Sequence, residues 1–131
     1  MAISDLFQRF KKQVETSDHQ RDEELRTHYY KTNFNQMFQT IEELFRKDAD
    51  CRVTTVSKEH GELAVEISKP FPCFLVVTII SARPLETSVD FTVSTERFSL
   101  IGSYPILKRR IVTYYERLNK LHTYLGSGKN S

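Results

Sequence analysis

"CRVTTVSKEHGELAVEIS", Cys51 to Ser68, is the stretch in which the apolar period of the chain changes from 3.6 residues to 2. Its first half is rich in β-branched residues, and in its second half Leu63, Val65 and Ile67 alternate with Glu62, Ala64 and Glu66. Alternation places successive side chains on opposite faces of a strand, so the second half predicts a strand with one apolar face. Between the halves "EHGE" reads as a turn, with Gly61 where a positive φ is needed. The stretch is therefore a hairpin, and its flanks decide what the hairpin joins.

Downstream, "KPFP" (Lys69 to Pro72) interrupts the pattern, and "CFLVVTIIS" (Cys73 to Ser81) is then apolar on both faces. Beyond a turn at "ARPLE", Val89, Phe91 and Val93 alternate with Ser88, Asp90, Thr92 and Ser94. Four consecutive strands with short connections predict an antiparallel meander, because parallel pairs need long crossovers. The third strand poses a problem: either Cys73, Leu75, Val77 and Ile79 or Phe74, Val76 and Ile80 must lie among polar neighbours. Either a helix folds across that face, or the face is a surface for a second copy or a partner.

Upstream, Leu6, Phe7, Phe10 and Val14 form one stripe of an amphipathic helix with Ser4 as cap. A second helix is expected from the acids Asp22, Glu23 and Glu24, which complement a helix amino end, to about Lys47. Phe34, Met37, Phe38, Ile41, Leu44 and Phe45 give it a clear face; Leu25, Tyr29 and Tyr30 extend that face less cleanly, with a break expected near Thr32 and Asn33. A last helix begins near Pro105, with Leu107, Ile111, Tyr114, Leu118, Leu121 and Leu125 as its stripe and Gly126 as its stop. The expected order is ααββββα. This is an α+β domain with two amino-terminal helices, a four-stranded antiparallel meander and a carboxyl-terminal helix packed on the sheet, spanning 1–125 and followed by a mobile tail at 126–131.

A chain of 131 residues that is 39% hydrophobic and 27% charged has the composition of one soluble globular domain. No apolar run approaches the roughly 18 to 20 residues of a membrane span, and no signal-peptide pattern opens the chain, so a cytoplasmic location and no membrane partner are expected. Cys51 and Cys73 fit no CxxC or Cys/His spacing and are read as reduced thiols. His19, His28, His60 and His122 form no HExxH or i, i+4 pair, and the glycines match no phosphate loop; neither metal nor cofactor is expected. A GxSxG elbow is also missing. Glu62, Glu66 and Asp90 share the polar sheet face, where paired acids could exchange protons, but they read first as the side turned to water. The chain is accordingly expected not to be an enzyme.

Charge is unevenly placed. Residues 1–50 carry 8 basic and 10 acidic side chains, 51–100 carry 5 and 6, and 101–131 carry 6 and 1. The excess begins with "GSYPILKRR", Gly102 to Arg110, where Lys108, Arg109 and Arg110 oppose the positive end of a helix dipole. With Arg97, Ser103 and Tyr104 they form a candidate anion or partner site, unless a carboxylate of the chain neutralises them. The expected function is binding of a protein partner or of a second copy as a homodimer, through the sheet face or the basic helix. The alternative is nucleic-acid or phosphate-ligand binding through that helix.

Overall fold

The structure is a computed structural model and describes residues 13–97 and 102–128. Among the described residues, seven strands and two α-helices follow one another as β1 (Gln13–Glu15), β2 (His28–Tyr30), α1 (Phe34–Arg46), β3 (Cys51–Ser57), β4 (Glu62–Ile67), β5 (Cys73–Arg83), β6 (Glu86–Ser94), α2 (Tyr104–Leu121) and β7 (Tyr124–Ser127). A single turn of 3-10 helix, Glu23–Leu25, lies between β1 and β2. All seven strands form one antiparallel sheet in the order β3-β4-β5-β6-β2-β7, and β1 also pairs with β6. One edge of β6 faces β5, and its other edge is shared, with Val93 opposite Val14 of β1 and Val89 opposite His28 of β2.

The expected four-stranded meander with two amino-terminal helices is thereby corrected. The strands β3 to β6 account for only part of the sheet, to which both flanking portions of the chain add strands. Gln13–Glu15, read as the end of a first helix, is β1, and the rest of that expected helix lies outside the described residues. The second helix starts at Phe34, not Asp22: the Asn33 carboxamide accepts from the Gln36 N–H at 2.8 Å and caps it there. Thr27, His28, Tyr29 and Tyr30 are β-branched or aromatic, and such side chains fit a half-buried strand better than a helix. The last helix ends at Leu121, and Leu125, Gly126 and Ser127 belong to β7, opposite β2. Gly128, expected in a tail, donates its N–H to the Thr27 carbonyl.

The two helices cover the same face of the sheet. Met37, Phe38, Ile41 and Phe45 of α1 and Leu107, Ile111, Tyr114, Tyr115 and Leu118 of α2 share one core with Leu63, Val65, Ile67, Leu75, Val77, Ile79, Val89, Phe91 and Val93. Aromatic edges hold the layers together, with Tyr114 4.9 Å from Phe45 and Tyr115 4.9 Å from Phe91. Gly61 makes the β3–β4 turn possible at φ +69°, and a Cβ there would lie 2.3 Å from the Ile79 carbonyl oxygen. No described helix is long and apolar enough to cross a membrane.

Candidate functional site

The face of the sheet opposite the helices is built in rows set by strand register. Arg52, Glu66, Phe74, Ser94 and Gln13 form the first row; Thr55, Ala64, Val76, Thr92 and Glu15 the second; Ser57, Glu62, Thr78 and Asp90 the third. Ile80, Ser88 and Tyr29 continue the pattern. The two-sided apolarity of β5 is resolved here: Leu75, Val77 and Ile79 point into the core, while Phe74 stays 39% and Ile80 52% exposed. No described helix lies over them. At the Phe74 end a groove of about 710 Å³ opens, lined among others by Gln13, Phe74, Ser94 and Arg97.

The acids of this face do different things. Glu66 is held by Arg52 through two hydrogen bonds, at 2.5 and 3.2 Å, and stays exposed. Glu62 is exposed and separated from Asp90 by Thr78, which puts two strand spacings, roughly 10 Å, between their backbones. Asp90 accepts from the Thr16 and Thr27 hydroxyls, both at 2.6 Å, so it fastens the β1–β2 connection to β6. Burial pushes its carboxyl above the usual range, against the pull of the two hydroxyl donors. The three carboxylates do not converge on one point.

The basic residues at the start of α2 are also separated in role. Lys108 lies 2.5 Å from Asp22 and 3.0 Å from Glu24, the cap and a first-turn acid of the 3-10 helix. Those two partners raise the affinity of its amine for the proton. Arg110 donates to the Lys69 carbonyl at 3.1 Å and lies over the Tyr114 ring at 5.9 Å. Arg109 is exposed and makes no ion pair or hydrogen bond among the described residues. Ser103 is buried, its hydroxyl donating to the Arg97 carbonyl at 3.4 Å, and Tyr104 is half-buried. Arg97 itself lines the groove beside Phe74, whereas Arg109 lines grooves on the α2 side.

One buried polar cluster was not legible in the sequence. The His28 ring stacks on Tyr115 at 3.6 Å and 7°, with Tyr124 on a second side at 4.6 Å. Its Nδ1 lies 3.2 Å from the Tyr30 hydroxyl and 3.3 Å from Asn119 Oδ1. Burial lowers His28 from 6.5 to about 4, so the ring is neutral at pH 7. Cys51 and Cys73 are free thiols on either side of Ile67, and burial raises both, Cys51 to about 11. Among the described residues no three His, Cys, Asp or Glu side chains are grouped as a metal site requires.

Compared with protein-family models, curated proteins and solved structures, the chain matches none.

Proposed function

We propose that this protein acts by binding another protein on the open face of its sheet, without catalysis. The observation that carries this reading is the exposed apolar strip of β5, Phe74 and Ile80 with half-buried Val76 between them, uncovered by either described helix. Central strand positions that face water are ordinarily polar, and exposed apolar residues set among charges, here interrupted by Thr78 alone, are the composition of an interaction surface. In the first three rows Glu15, Glu62, Glu66 and Asp90 stand against Arg52 alone. Two copies placed face to face would bring like charges together, so the surface suits a partner helix with an apolar stripe and basic flanks better than a homodimer.

Nucleic acid or a phosphate ligand on the carboxyl-terminal helix draws less support. Lys108 already meets Asp22 and Glu24, and Tyr114 and Tyr115 are in the core, where no base can stack on them.

A helical peptide of Leu and Lys, apolar on one side, serves as the probe, with binding followed by amide chemical shifts. Saturable shifts are expected at Ala64, Phe74, Val76, Thr78 and Ile80, with binding at least tenfold weaker in Ile80→Asp and weaker again in Glu62→Lys. Shifts confined to other surfaces would overturn the reading. So would a solution mass of twice 15.4 kDa with the same amides protected in the peptide-free protein, which would assign the face to self-association.

A further inference from the structure

A second surface lies between the start of α2 and the β4–β5 connection. A groove of about 460 Å³ is lined by Pro70 and Phe71 of the connection and by Pro105, Ile106, Arg109, Arg110 and Thr113, which share one stripe of α2. Its size lies within the range of sites that hold a small molecule or a large side chain, and its lining combines apolar and cationic side chains. The three adjacent cations of α2 differ in how they are compensated. Lys108 has two carboxylates, which leave that spot with a net negative charge, and Arg110 has the Lys69 carbonyl and the Tyr114 ring. Arg109 has no such compensation among the described residues, although it too stands near the positive end of the helix dipole. Its guanidinium remains available to a ligand carboxylate, which it can meet with two parallel N–H donors.

We infer that this groove binds an acidic peptide segment in which an aromatic or large aliphatic side chain neighbours an Asp or Glu. The side chain fills the Phe71–Ile106 wall, and the carboxylate meets Arg109, with Arg110 held in place behind it by the Lys69 carbonyl. The acids on the Lys108 side, together with Glu116 beyond Arg109, repel a ligand that extends that way, so the negative charge is confined to the Phe71 end.

The test uses fluorescence anisotropy on the full chain with three labelled probes: the pentapeptide Glu-Glu-Phe-Glu-Glu, the same peptide with Ala at its centre, and a thymidine oligonucleotide. Saturable binding of the Phe peptide is expected, at least tenfold tighter than the Ala peptide. Binding should weaken tenfold or more in Arg109→Gln and in Ile106→Gln, and stay unchanged in Arg117→Gln, a cation of the same helix outside the groove. Thermal melts of each variant check that these surface changes leave the fold intact. Equal binding of the Phe and Ala peptides, or equal losses in Arg109→Gln and Arg117→Gln, would show attraction by charge alone and overturn the assignment. Tighter binding of the oligonucleotide, with loss in Arg109→Gln, would overturn it in favour of nucleic acid.

Discussion

His28 shows how one side chain ties stability to pH in this protein. Its ring is enclosed by Tyr115 and Tyr124, and a charge placed there loses its hydration without gaining an acidic partner. The unfolded chain binds the proton near pH 6.5, and the folded chain only near pH 4. Stability from this group is therefore complete above pH 6.5 and declines as the pH falls, with about 3 kcal/mol lost by pH 4. Urea midpoints measured at pH 7.5 and 4.5 should differ more for the parent protein than for His28→Gln, and equal differences would exclude His28 as the source. Nothing in the sequence marked this histidine. Its partners Tyr115, Asn119 and Tyr124 are distant along the chain, and only the packing of α2 and β7 on β2 brings them together.

At the scale of elements, legibility followed length. The strands β3 to β6 run for six residues or more, enough for a period of 2 to be distinguished from one of 3.6. The strands β1, β2 and β7 have three or four residues, and in β2 the pair Tyr29–Tyr30 falls on the same helical stripe as Leu25 and Phe34, which concealed the strand. That β5 carries apolar side chains on both faces, Phe74 and Ile80 among them, could be foreseen from its sequence, whereas the expected first helix that would cover them lies outside the described residues. The pairing of Lys108 with Asp22 and Glu24 could not be foreseen, because the dipole argument fits those acids to the start of a long helix, where only one 3-10 turn forms. The β5–β6 hairpin carries a local cost of its own: Leu85, exposed at its turn, has φ 58°, a region where a side chain crowds the backbone. The change Leu85→Gly should raise stability by about 1 kcal/mol, read from the urea midpoint, and a lower midpoint would show that Leu85 makes a contact worth more than that strain.

Over the whole molecule the sheet is most secure at its centre. The strands β5 and β6 are paired on both sides, and β6 lies under both described helices, whereas among the described residues β3 and β7 each keep one unpaired edge. Native-state hydrogen exchange should find the amides of Leu75, Val77, Phe91 and Val93 among the slowest and those of β1 and β7 far faster. Comparable protection in β7 and β6 would show that the sheet opens only as a unit.

The pairing of Tyr29 with Gly126 joins strands from before and after the meander. Hairpins among β3 to β6 can close over short loops, but this contact must bring together segments separated by most of the described chain, and its closure entropy is paid before any contact repays it. The time a refolding chain needs is thus set less by its long, regular strands than by the late meeting of two short ones.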